Sequence, residues 1–188
     1  MQTTDGSRIA PNLGKQQTHM RRPGSLVALA GFAAGTVAAA WFGSRYSPSH
    51  GKSKIWYKNL RKPPYNPPKA VFLIVWPVLY TLMAWSGYRV WRRESSPERS
   101  RALALWAGQL GANAAWSKLF FGEQRPDLAL VDADVMRALI VAYMESAYLI
   151  DRTAAAAFVP YLGWVTFARK LNKEIVRLNP PERRLLAA

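Results

Sequence analysis

Residues 55–91 read I-W-Y-K-N-L-R-K-P-P-Y-N-P-P-K-A-V-F-L-I-V-W-P-V-L-Y-T-L-M-A-W-S-G-Y-R-V-W. A basic, proline-dense stretch runs directly into an apolar, aromatic-laden segment. That segment has the ~20-residue length that crosses a bilayer. Pro63, Pro64, Pro67 and Pro68 each lack an N–H and fix φ. No regular helix or central strand is therefore expected over residues 43–70. The stretch reads instead as a stiff, partly extended loop folded over the mouth of a helical bundle. Val71–Trp91 is the span it feeds, with Pro77 in its first turns and Arg89, Arg92 and Arg93 at its end.

Upstream, residues 1–25 are polar and aperiodic, the signature of a disordered tail. Leu26–Phe42 is rich in Ala, Gly and Leu behind Arg21-Arg22. It has the form of a signal peptide, with Ala38-Ala39-Ala40 as small residues, and equally that of a first transmembrane helix. The helix is the preferred reading, with Gly31-x-x-x-Gly35 as a smooth face for a neighbour. Downstream, Ser95–Arg101 reads as a charged turn and Ala102–Phe121 as a third span. Leu128–Ile150 is a fourth, interrupted by Asp132, Asp134, Arg137 and Glu145. A charge at mid-bilayer costs ~2.5–3.5 kcal/mol on insertion scales. Asp134 and Arg137 are spaced to pair, and Glu145 is expected to face the bundle interior. Ala154–Leu171 is the fifth span. A basic segment follows it and runs into Pro180-Pro181, leaving 180–188 as a C-terminal tail.

The predicted fold is therefore all-α: an integral membrane bundle of five transmembrane helices over residues 26–179, with a long proline-rich first loop. The 188 residues carry a net charge of +15 and no Cys. No nucleic-acid-binding signature accompanies that charge, so the expected partner is membrane lipid rather than nucleic acid. The greater share of Lys and Arg lies on the side of loop 43–70 and the C-terminus, which puts that side in the cytoplasm. His19 and His50 are the only imidazoles, both in polar stretches, and no metal site is expected. No catalytic triad, Walker loop or dinucleotide fingerprint appears.

What remains is aromatic. Trp56, Tyr57, Tyr65, Trp76, Tyr80, Trp116, Phe120, Tyr161 and Trp164, with the amides of Gln109 and Asn113, suit a flat apolar ligand with polar edges. Lys58, Arg61 and Lys62 beside the mouth suit its carboxylates. Gln109 and Asn113 share a helical face, and in lipid each needs an interhelical partner, whether as site residue or as helix–helix glue. Trp41, Trp91 and Trp106 read as interfacial anchors. Ala104, Gly108 and Ala112, with Gly111 and Ala115 on the next line, let backbones approach closely within the bundle or across a dimer.

These residues resemble the TspO/translocator protein family over about 26–179. The motifs are W-Y-x-x-L-x-K-P from Trp56 to Pro63 with Pro67-Pro68, and V-W-P-V-L-Y from Val75 to Tyr80. Further on come G-Q-L-x-x-N-x-x-W-x-x-x-F-F-G from Gly108 to Gly122, Leu130-Val131-Asp132, and P-Y-L-x-W-x-x-F-A-x-x-L-N from Pro160 to Asn172. The resemblance implies five transmembrane helices, a homodimer seamed along the third, and a pocket beneath the first loop. The implied ligands are porphyrins such as protoporphyrin IX and haem; no cofactor is required. The implied pocket holds Trp56, Trp76, Asn113, Trp116, Tyr161 and Trp164, beneath a lid containing Lys62, Pro63, Pro67 and Pro68.

Three functions follow as expectations: tetrapyrrole transport, sensing or regulation; light-dependent porphyrin breakdown through Trp76 and Trp164; or lipid and sterol carriage. The first is preferred to an enzyme. The expected location is a bacterial inner membrane, with the mitochondrial outer membrane as the alternative. The chain departs from the family pattern at Tyr65 and Ala114, where Trp is usual, and at Arg169-Lys170, where a Thr pair is usual. L-N-K-E-I-V-R at Leu171–Arg177 lacks the Tyr of the animal sterol motif.

Overall fold

The computed structural model describes residues 25–48 and 51–180, and the described residues are helical, with no strand among them. The N-terminal tail, the residues beyond Pro180, His19 and His50 lie outside them. Five long helices, α1 (Ser25–Ser44), α3 (Lys69–Trp91), α4 (Pro97–Ser117), α5 (Pro126–Tyr148) and α7 (Val159–Leu178), are joined with two short ones, α2 (Gly51–Asn59) and α6 (Arg152–Ala156). A π-helical turn, Lys118–Gly122, extends α4.

Helix α1 packs on α3 and α4, α4 on α5, and α5 on α7. The order around the bundle is thus α3, α1, α4, α5, α7. One end carries α2, the proline loop, the π turn and the end of α7. The other carries the α3–α4 turn and α6.

The buried seam is built from small and large residues in register. Trp106 of α4 is almost fully buried and donates its indole N–H to the Met83 carbonyl at 2.8 Å. Its ring meets Phe32 of α1 edge-on at 4.9 Å. A Cβ on Gly87 would lie 2.7 Å from the Trp106 indole nitrogen and 2.8 Å from Phe32, so α3 must be bare there. Trp106 is therefore a core residue and not the interfacial anchor its position suggested. Trp41 fits the anchor reading, being 58% exposed beneath the Arg45 guanidinium at 3.8 Å. Of the Gly31/Gly35 pair only Gly35 packs closely, against Trp106, while Gly31 faces open space. Thr36 and Ala39 are buried too, so α1 is an integral part of the bundle.

Three boundaries and the placement of Glu145 differ from expectation. Within 43–70 the proline stretch is free of helix only over residues 60–68, and the nine residues Gly51–Asn59 form α2. Ser96 accepts from Arg99 N at 3.1 Å and Pro97 takes the first helical position, so α4 begins inside the supposed charged turn. The fifth span is broken at Ala157–Phe158, and the chain restarts as α7 with Pro160 in its first turn. Glu145 is exposed rather than interior. It lies three residues before the end of α5, ~4.5 Å along the axis, close enough for its carboxylate to leave the apolar zone.

Asp134 and Arg137 pair as expected, at 3.4 Å. Arg169 of α7 joins them through Nε and through Nη2, the latter 2.9 Å from Asp134 Oδ2. One half of the unusual Arg169-Lys170 pair thus neutralises a carboxylate on the neighbouring helix. The far end is closed by Asp151, which caps α6 through the N–H groups of Thr153 and Ala154 and takes Arg89 and Arg93 on its other face. Burial alone would raise the Asp151 carboxyl. The bonds from Arg93, the Ala154 N–H and Arg89 together hold it below the ordinary carboxylate value.

Candidate functional site: an aromatic interior beside a lateral groove

The expected site residues form two adjoining groups. In the first, Tyr80 of α3 donates its phenol proton to Asn113 Oδ1 at 2.8 Å. Asn113 Nδ2 donates to the Tyr161 hydroxyl at 3.2 Å, and that hydroxyl to Met136 Sδ at 3.3 Å. One amide on α4 thereby ties α3, α7 and α5 together. Asn113 and Tyr161 are buried, and Trp76 stacks on Tyr80 at 5.2 Å. In the second group Trp56 and Tyr57 of α2 meet Phe120 edge-on, and Trp116 stacks on Phe120 at 4.9 Å. Trp116 touches both groups. The π turn aims Phe120 inward, consistent with the frequent use of such bulges at functional positions.

Gln109 shares the buried face of Asn113 but has no interhelical hydrogen bond. Its Nε2 donates to its own helix at Trp106 O, and its Oε1 is buried without a partner. The expectation of an interhelical partner holds for Asn113 and fails for Gln109. Ala104, Gly108 and Gly111 lie on the opposite, exposed face of α4, with Ala112 and Ala115 beside them half-buried.

The lid is fastened. The Ser53 hydroxyl donates to Phe121 O at 3.1 Å. Arg61 N donates to Asn179 Oδ1 at 3.0 Å, and Asn179 Nδ2 returns a bond to Arg61 O at 2.9 Å. Pro63 is buried, Pro67 half-buried and Pro68 exposed. Lys62 rests 4.4 Å above the Tyr57 ring and donates to Leu60 O at 3.1 Å, and burial lowers its pKa. Burial raises the Tyr57 phenol, against a weak bond to Asn66 at 3.5 Å.

Sequence reasoning missed a groove between α3 and α7, about 580 Å³ in volume. That volume lies within the ~300–1,000 Å³ usual for ligand sites. Val71, Ile74, Val75 and Val78 form its α3 wall, and Pro160, Gly163, Trp164 and Phe167 its α7 wall, with Pro67 at the lid end. The spacing i, i+3, i+4, i+7 on both helices was readable, but nothing in it said that the stripes face one another unfilled. Trp164 belongs to groove and interior alike, held edge-on to Phe72 at 5.5 Å, with its indole N–H buried and unpartnered.

Two of the long helices, Ser25–Ser44 and Lys69–Trp91, are long and apolar enough to cross a membrane on composition alone. The described fold and site define an all-helical protein with an aromatic, amide-braced interior. Residues 31–178 match the TspO/MBR family, and the chain belongs to that family. It is 43% identical to the tryptophan-rich sensory protein of Cereibacter sphaeroides, over 68% of this chain and 79% of that one. It is 34% identical to the bovine translocator protein, over 76% and 85% respectively. Against protein CrtK of Rhodobacter capsulatus it is 32% identical, over 85% and 97%.

Proposed function

We propose that this protein binds a tetrapyrrole such as protoporphyrin IX or haem and takes part in its transport, sensing or regulation. The observation that carries the reading is the Tyr80–Asn113–Tyr161 chain set among Trp76, Trp116 and Trp164. It offers flat apolar walls with a few fixed polar atoms, the chemistry that a macrocycle with polar edges requires. Lys58 at the end of α2, with Arg61 and Lys62 just after it, is the positive charge this reading assigns to the ligand's carboxylates.

The five long helices have 20 to 23 residues each. At 1.5 Å per residue they are ~30–35 Å long, matching the ~30 Å hydrocarbon core. Ile74, Val78, Val131, Val135 and Val159 are exposed on their outer faces, where lipid would cover them. All five are therefore read as transmembrane. The exposed Ala104–Gly108–Gly111 line supports a homodimer seamed along α4. The location proposed is a bacterial inner membrane, with the mitochondrial outer membrane as the alternative.

The test is a titration of detergent-purified protein with protoporphyrin IX, followed by its Soret band. A saturable shift in the wild type, lost in a Trp76→Ala/Trp164→Ala variant, is expected. No saturable shift in the wild type overturns the reading. Trp164, with an unbonded indole N–H at the groove, also favours a second reading in which it donates an electron to photoexcited porphyrin. Bound pigment would then bleach faster than free pigment under light, and Trp164→Phe would remove the difference.

A further inference from the structure

The proline loop and the α3–α7 groove both border the aromatic interior, and they differ in how they are closed. The loop route is held at widely separated points. Asn179 and Arg61 bond reciprocally, Ser53 bonds Phe121 O, and Leu60 is buried in a cluster with Phe120, Ala129, Leu171 and Ile175. Opening it means breaking three hydrogen bonds and exposing that cluster together.

The lateral route lacks such closure. Between α3 and α7 lies the groove, and a Cβ placed on Gly163 would meet nothing within 4 Å. Ile74 and Val78, on the opposite wall, are 69% and 54% exposed. Trp164 forms its inner wall and closes on Phe72 by a ring-edge contact rather than a hydrogen bond.

The lid end of this groove is basic. Lys69 opens α3 two residues before Val71. Lys170 stands 5.4 Å over the Tyr65 ring, and Tyr65 meets Phe167 of the groove edge-on at 6.5 Å.

We propose that the ligand enters and leaves sideways, from the bilayer, between α3 and α7. This rests on the tetrapyrrole reading. A flat apolar ring with carboxylates on one edge partitions to the membrane interface with that edge at the headgroups. There Lys69 and Lys170 meet the carboxylates while the ring slides along the apolar walls to Trp164. Gly163 is bare because a side chain there would stand in the path.

The test compares protoporphyrin IX association by stopped flow for protein in phosphatidylcholine nanodiscs. Gly163→Phe should slow association and dissociation at least about tenfold while changing Kd little, as obstruction of a passage does. Ile74→Trp, which adds bulk from the exposed side of α3, should slow both as well and serves if Gly163→Phe misfolds. Asn179→Ala, which releases the latch, should leave the rates unchanged. Faster association in Asn179→Ala, with the groove variants unaffected, overturns the proposal in favour of entry under the loop.

A second arm needs no porphyrin. Phosphatidylcholine brominated on its acyl chains should quench the fluorescence contributed by Trp164, taken as wild type minus Trp164→Phe, and Gly163→Phe should abolish that quenching. Absence of quenching in the wild type overturns the lateral opening. Quenching without any saturable Soret shift leaves the opening standing and removes the tetrapyrrole reading beneath it.

Discussion

Tyr80 and Asn113, on different helices and 33 residues apart in the chain, are joined by a 2.8 Å hydrogen bond in which the phenol donates to the amide oxygen. The same amide donates to Tyr161, so its removal orphans the Tyr80 hydroxyl and leaves that of Tyr161 with only the Met136 sulfur. Each buried polar group left unpaired costs ~1–3 kcal/mol. Asn113→Ala should therefore lower the melting temperature more than Tyr80→Phe, which removes donor and hydroxyl together. Thermal melts of both single variants and the double variant measure this, and additive losses would show the two residues to be uncoupled.

Gly87 is bare because Trp106 and Phe32 occupy the space its side chain would take. Gly87→Ala should destabilise by ~1–3 kcal/mol, the usual cost of overpacking a filled core. In a Trp106→Leu background the same substitution should cost less, with Phe32 still 2.8 Å away. An equal cost in both backgrounds would show that the indole is not what excludes the methyl.

Asp151 links stability to pH. Its folded pKa is below the unfolded value of ~3.9, so its contribution is present at pH above about 4. That contribution is lost as pH falls through the folded value. Asp151→Asn keeps the amide oxygen as a cap for α6 but loses the charge toward Arg89 and Arg93. It should be less stable at neutral pH by ~1.5–3 kcal/mol, the scale for hydrogen bonds to charged groups. The difference from wild type should shrink on acidification, read from melts between pH 7 and pH 3. A constant difference would argue against the ion pairs.

The bare outer face of α4 gives a prediction on assembly. Gly108 has only the Leu139 methyls nearby, at 3.8 Å, and Gly111 has nothing within 4 Å. Gly111→Leu should leave the monomer folded and shift a dimer to monomer in analytical ultracentrifugation in matched-density detergent. An unchanged dimer would place the seam elsewhere.

The sequence by itself determined the helical class and the approximate position of every long helix. Each of these is a local property: apolar runs separated by charge, prolines that forbid helix, and small residues at helical spacing. The Asp134–Arg137 pair was legible for the same reason. Tertiary structure alone decided which faces met. It buried Trp106 under Gly87, gave Asn113 two interhelical partners and Gln109 none, and brought Arg169 across to Asp134. It also left α3 and α7 apart along matching apolar stripes. An apolar stripe reads the same whether a neighbour, a ligand or lipid covers it, because burial is non-directional and indifferent to what does the covering. Only the relative placement of helices far apart in the chain distinguishes a filled seam from an open groove.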